Sequence, residues 1–67
     1  MVSVELYEAV CSRGDMRMHV PVIRHRGQWF NANTGAIETW VYSAEPMAGD
    51  RARAFLAIAE KTLEKLR

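Results

Sequence analysis

The sequence contains a single cysteine, Cys11, so no disulfide can form within the chain. It has no paired-cysteine motif, and a zinc site would have to be assembled from scattered histidines and carboxylates. A lone cysteine is more often a small buried apolar side chain than a nucleophile. This cysteine usage is typical of a reducing compartment, and we expect an intracellular, cytoplasmic protein.

Long apolar runs and an excess of one charge are also missing. No stretch approaches the 18 or more apolar residues that cross a bilayer, and the N-terminus lacks a basic patch followed by an apolar signal core, so we expect no membrane partner. Nine Lys and Arg against eight Asp and Glu give a net charge of +1 and a pI of about 8.0. Small nucleic-acid-binding domains usually have a pI above about 9.

Catalytic motifs are absent as well. The sequence has no glycine-rich phosphate loop and no nucleophile elbow. His19 and His25 fall on one face of a predicted strand, but six residues of strand span roughly 20 Å, too far for one metal ion or one proton relay. We therefore expect no enzyme, no cofactor and no small-molecule substrate.

The residues that are present predict one small folded domain covering residues 1–67, because 49% are apolar and 25% are charged. The clearest element is a helix over about residues 50–66, with Asp50 as its N-cap. Its apolar residues recur at steps of three and four and form one stripe: Ala52, Phe55, Leu56, Ala59, Leu63 and Leu66. This stripe must pack on a surface supplied by the upstream chain.

Alternating apolar and polar residues predict strands at about residues 2–11, 16–25, 28–32 and 36–43. The first segment is ambiguous, because its apolar residues also fit helical spacing behind a cap at Ser3, but its β-branched residues favour a strand. Asn33-Thr34-Gly35 predicts a chain reversal.

The predicted fold is α+β: an antiparallel three- to four-stranded meander with one C-terminal helix packed on one face. If residues 2–11 are helical, the order becomes α-β-β-β-α, which invites comparison with small double-stranded-RNA-binding folds.

Two aromatic residues of the last predicted strand suggest an interaction surface. Trp40 and Tyr42 alternate with Ile37 and Val41, and one helix can cover only one face of a sheet, so part of this apolar surface is left over. Aromatic residues and arginine dominate protein-binding hot spots. The first hypothesis is a stand-alone, non-enzymatic binding module of inhibitor or adaptor type, whose partner is another protein or a second copy. The competing interpretation is that Trp40 lies over the sheet edge or is shielded by arginine side chains.

A basic turn beside aromatic residues supplies the alternative hypothesis. Arg24, His25 and Arg26 precede Trp29, and Arg17 lies earlier on the same predicted strand. Arginines that pair with phosphates beside a ring that stacks on bases are typical of nucleic-acid-binding sheets. The competing interpretation is that Trp29 or Phe30 belongs to the core and the arginines keep the turn soluble.

Residues 22–66 also show a recognisable order of motifs: a strand ending in Ile23-Arg24-x-x-Gly27, an aromatic strand with Trp29, a turn with Thr34-Gly35, another strand and a closing helix. This order, over about two thirds of the chain, resembles the small arm-binding domain at the N-terminus of tyrosine recombinases. The chain departs from that pattern in its extra N-terminal segment, its long connection at residues 44–49 and its lack of basic excess, and is not assigned to that family.

Overall fold

A computed structural model describes residues 4–67 and shows four strands followed by one helix. The elements are β1 (Glu5–Arg13), β2 (Met16–His25), β3 (Gln28–Asn31), β4 (Val41–Pro46) and α1 (Gly49–Leu66). The predicted α+β class, with an antiparallel sheet and a C-terminal helix, is confirmed. The first element is a strand, so the α-β-β-β-α alternative is wrong; residues 2 and 3 of that predicted strand lie outside the described residues.

The four strands form one antiparallel sheet in the order β3-β2-β1-β4. The first three strands are a meander, and β4 then pairs with the other side of β1. The register divides the side chains between two faces. The cysteine face carries a buried cluster of Ala9, Cys11, Val20 and Val22. The helix face carries Leu6 and Ile23, which pair across β1 and β2.

α1 packs on the helix face through its C-terminal half. Ala59 and Leu63 are buried against Ile23 and Ala32, with Leu6, Phe30 and Leu66 at the margin of this cluster. The predicted stripe is wrong at Leu56, which is 46% exposed, whereas Thr62 is buried although the apolar pattern did not include it. The Thr62 hydroxyl donates a 2.6 Å hydrogen bond to the Ala32 carbonyl, which fixes the helix to the end of β3.

The start of α1 also differs from the prediction. The N-cap is Ala48, which makes no side-chain capping hydrogen bond, and the helix begins at Gly49. Gly49 has a φ of 63°, a conformation that glycine adopts without steric cost. Asp50 lies within the first turn and pairs with Arg53. Its carboxylate still complements the positive end of the helix dipole, but it does not act as the N-cap.

The predicted strand at residues 36–43 is wrong in its bounds. β4 begins five residues later, at Val41, because the preceding connection first runs beside β3. There the Ala36 carbonyl accepts a 2.7 Å hydrogen bond from the Asn31 N–H, and the Glu38 N–H donates a 2.8 Å bond to the Trp29 carbonyl. The reversal expected around Asn33-Thr34-Gly35 is present, and the Asn31 side-chain oxygen accepts hydrogen bonds from the backbone N–H groups of Asn33 and Thr34.

The connection then crosses the cysteine face to reach β4. Glu38 is 7% exposed and bonds to Arg13 at 2.8 Å and to the Asn31 side chain at 3.3 Å; by register both partners lie on the cysteine face. Tyr7, Trp29, Val41 and Ala44 pack around the same cluster. The sheet therefore has apolar cores on both faces, one closed by α1 and the other by the β3–β4 connection.

Candidate functional site

Large apolar side chains are exposed where the β1–β2 hairpin turns. Four of them lie at this end of the sheet, with exposed fractions of 66% for Met16, 46% for Met18, 73% for Trp40 and 66% for Tyr42. Trp40, Tyr42 and Arg17 are here called the hairpin-end patch. By register, Met16 and Met18 lie on the cysteine face and Arg17 on the helix face, so the two methionines are not part of this patch. Aromatic rings and arginine are enriched at protein interfaces. The structure brings the two predicted interface residues, Trp40 and Tyr42, to one place.

A β-bulge determines where Tyr42 lies. Val10 pairs with Ser43 and Cys11 pairs with Val41, so Tyr42 is the extra residue of β4 at this point. The Arg17 guanidinium lies over the Tyr42 ring, 4.0 Å from its centroid. Just before the bulge, the Trp40 carbonyl accepts a 2.9 Å hydrogen bond from the Ser12 N–H. The Trp40 backbone is therefore bonded directly to β1, and Tyr42 lies between Val41 and Ser43, which both pair with β1, while both rings remain exposed.

One edge of the sheet is covered by the chain and the other is open. The outer side of β3 is covered, because residues 36–38 hydrogen-bond along it. β4 lies at the other end of the strand order and pairs with no described strand except β1. An uncovered edge strand is a ready surface for adding another strand. The hairpin-end patch thus adjoins the open edge of the sheet.

A polar groove lies on the helix face beside β4. It has a volume of about 230 Å³ and is lined by residues of the sheet and of the segment entering α1, among them Glu8, His19, Glu45 and Arg51. Glu8 and Glu45 are directly opposite each other across β1 and β4, an arrangement that is destabilising for like charges. Arg51 pairs with Glu8 at 2.5 Å. Among the described residues, Glu45 has no ion-pair partner.

The residues of the nucleic-acid hypothesis do not form one site. Arg24 stacks over Trp29 at 4.5 Å, with Arg26 in the adjoining turn, but Arg17 lies at the opposite end of β2. Trp29 is already engaged in the cysteine-face core, where its ring meets Tyr7 edge-on at 5.0 Å. His25 is on the other face, beside Phe30 at a ring distance of 6.2 Å.

The perturbed titratable groups cluster under the β3–β4 connection. The hydrogen bond from Arg13 lowers the pKa of Glu38, an effect opposed by burial and assisted by Asn31. Burial raises the pKa of Cys11, and nearby Glu38 raises it further. Since Cys11 is fully buried, its thiol belongs to the core. Within residues 4–67, no group of three or more potential metal ligands occurs, and no described helix is long and apolar enough to span a membrane.

Sequence reasoning identified Trp40 and Tyr42. Met16 and Met18 alternate with polar residues along β2 and by register lie on the cysteine face, yet both are exposed. The opposed pair of Glu8 and Glu45 depends on the pairing of β1 with β4, which no local pattern encodes. The one usable signal was the density of methionine and aromatic residues in a chain this short.

Comparison with known proteins adds no relationship: no protein-family model, no curated protein and no solved structure matches this chain.

Proposed function

We propose that this chain is a non-enzymatic binding module that acts through protein–protein contacts at the hairpin-end patch. The observation that carries the proposal is the exposure of Trp40 and Tyr42, at 73% and 66%, on a backbone fixed to β1. Tyrosine and tryptophan side chains have only two torsion angles to order when a partner covers them, and each buries roughly 150–250 Å².

The arginine in the patch supports the same proposal. Arg17 lies over Tyr42, so its guanidinium is held at the surface where a partner's carboxylate or carbonyl can reach it. Arginine, tyrosine and tryptophan are the residues that most often dominate binding energy at interfaces. The patch combines all three within a few residues of the open edge of the sheet.

The nucleic-acid alternative has less support from the arrangement of its residues. Arg17 is remote from Arg24 and Arg26, and the ring of Trp29 contacts Arg24 and Tyr7 instead of lying open as a stacking platform. What remains is a basic turn with two arginines.

The test is site-specific photo-crosslinking in the cells that produce the protein, with the crosslinker placed at Trp40, at Tyr42 or, as a matched control, at Leu56. Leu56 is also an exposed apolar residue, but it lies on α1, away from the patch. We expect discrete protein adducts from the first two positions and none of the same size from the third. Equal adducts from all three positions, or none from the patch, would contradict the proposal.

Alanine substitution provides the second arm. Once an adduct is identified, W40A and Y42A should each weaken its binding by about thirtyfold, the effect of removing a typical hot-spot residue. Ile37→Ala removes another exposed apolar side chain, at the covered edge beside β3, and should leave affinity unchanged.

A further inference from the structure

We infer that the partner at the open edge is a second copy of this chain, with the two β4 strands pairing antiparallel about a two-fold axis at Ala44. The inference rests on the proposed function, since it names an occupant for the surface that the hairpin-end patch adjoins. Three features of the sheet support it: the outward backbone groups of β4, the charges on either side of them, and the cover over the opposite edge.

The direction of the β4 backbone groups places the axis. Met47 donates its N–H to the Leu6 carbonyl at 3.0 Å, and in an antiparallel ladder alternate residues point the same way. Glu45 and Ser43 therefore also point their backbone groups at β1. Ala44, between them, points its N–H and carbonyl outward. Two copies related by an axis at Ala44 would exchange a reciprocal pair of hydrogen bonds there.

The same pairing makes the charges complementary. Opposite residues of an antiparallel pair share a face, so Glu45 of one copy would lie on the helix face, opposite Ser43 of the other. The Arg17 guanidinium already reaches across β1 to lie over Tyr42 on β4. A strand added about 4.8 Å beyond β4 brings Glu45 of the second copy within reach of that guanidinium.

The dimer supplies each Glu45 with a positively charged partner. Glu45 faces Glu8 within its own sheet, and Arg51 compensates Glu8 only. An arginine from the second copy supplies the missing positive charge, and the two-fold axis repeats the contact twice. An interface in which one surface contacts its own copy is the commonest form of dimer.

The assembly also closes at two copies. Dimerisation uses the open edge of both chains, and the remaining edges are covered by residues 36–38. Pro46 has no N–H to donate to a partner, which confines the new ladder to the few residues around Ala44. The product is a finite eight-stranded sheet in place of an open fibre.

The decisive experiment is a charge exchange followed by sedimentation from about 1 μM to 1 mM, the range expected for a small interface of this kind. The wild type should show a concentration-dependent dimer. Arg17→Glu sets two carboxylates against each other across the interface, and Glu45→Lys sets an ammonium group against the Arg17 guanidinium. Each variant alone should therefore dimerise about tenfold more weakly or worse.

An equimolar mixture of these two variants should recover the dimer, because both contacts of the mixed pair join opposite charges. The glutamate introduced at position 17 of one chain faces the lysine introduced at position 45 of the other, and the native Arg17 faces the native Glu45. Recovery cannot come from a change in fold, since neither variant is altered by mixing. Lys61→Glu and Glu60→Lys, on the exposed side of α1, carry the same changes of net charge and should leave dimerisation as it is in the wild type.

Ala44→Pro tests the hydrogen bonds separately. It removes the outward N–H while keeping Trp40 and Tyr42, and it should abolish the dimer without loss of the sheet signal in circular dichroism. A wild type that stays monomeric throughout, a mixture that fails to associate, or an Ala44→Pro variant that dimerises normally would each overturn the edge pairing. If adducts to a different protein still form at Trp40 and Tyr42, the proposed function survives that failure.

Discussion

Two leucines on one side of α1 test how the helix is held, because the same substitution is made at two positions that lie seven residues, or about two turns, apart along its axis. Leu63 is 6% exposed and packs with Ile23 and Ala59, whereas Leu56, two turns earlier, is 46% exposed. Leu63→Ala removes three carbon groups worth about 0.8 kcal/mol each and leaves a cavity, so we expect a loss of about 2–4 kcal/mol. Leu56→Ala leaves no enclosed cavity and should cost about 1 kcal/mol or less.

The measurement is urea unfolding followed by circular dichroism, with thermal melts alongside. A domain of this length is expected to have roughly 3–10 kcal/mol of stability in total, so Leu63→Ala should lower Tm by about 10 °C or more and Leu56→Ala by only a few degrees. If Leu63→Ala unfolds the protein outright, Leu63→Val gives a smaller step in the same direction. Equal losses at both positions, or a larger loss at Leu56, would refute the placement of the helix.

Two further perturbations examine the ion pair under the β3–β4 connection and the basic turn. Because Arg13 lowers the pKa of Glu38 in the folded protein, this carboxylate contributes stability above its unfolded pKa of about 4.5 that is lost as pH falls through the lower folded value. Urea unfolding at about pH 7, 4.5 and 3 should therefore show that the free energy of unfolding falls less with acid for Glu38→Gln than for the wild type. An equal fall in both proteins would show that Glu38 does not contribute to the acid sensitivity. In gel shifts at low salt with single- and double-stranded DNA and RNA, we expect no retardation at about micromolar protein; salt-sensitive binding lost in Arg24→Ala with Arg26→Ala would revive the nucleic-acid alternative.

Much of the fold was predictable because it is encoded locally. β2 has the bounds that alternation predicts, and α1 starts within one residue of its predicted position, since strand and helix periodicities are read over ten or more residues there. The strand character of β1 also followed from its β-branched residues. The predicted stripe failed at Leu56 because a helix on a short sheet contacts it along only part of its length, and Leu56 lies two turns nearer the N-terminus of α1 than the buried Leu63.

The errors arose where distant partners decide the conformation. Residues 36–40 alternate like a strand, but Ile37 is 52% exposed and Glu38 is buried, the reverse of what an apolar-in pattern requires. Glu38 is buried because Arg13 and Asn31 satisfy its carboxylate, and neither partner is adjacent in sequence. In the candidate site, the exposure of Trp40 and Tyr42 was foreseeable from the excess of aromatic surface, whereas the open edge of β4 follows only from the strand order.

The Arg13–Glu38 ion pair lies within the long stretch of chain that separates β1 from β4. Pairing Ala9 with Ala44 closes a loop of residues 10–43, whereas the β1–β2 hairpin closes a loop of only Gly14 and Asp15. By the logarithmic dependence of loop entropy on length, closing the longer loop costs about 2 kcal/mol more. Glu38 meets Arg13 at the end of the hairpin only three residues before β4 begins at Val41. When that contact is in place, the chain that remains to be closed before β4 pairs with β1 is short.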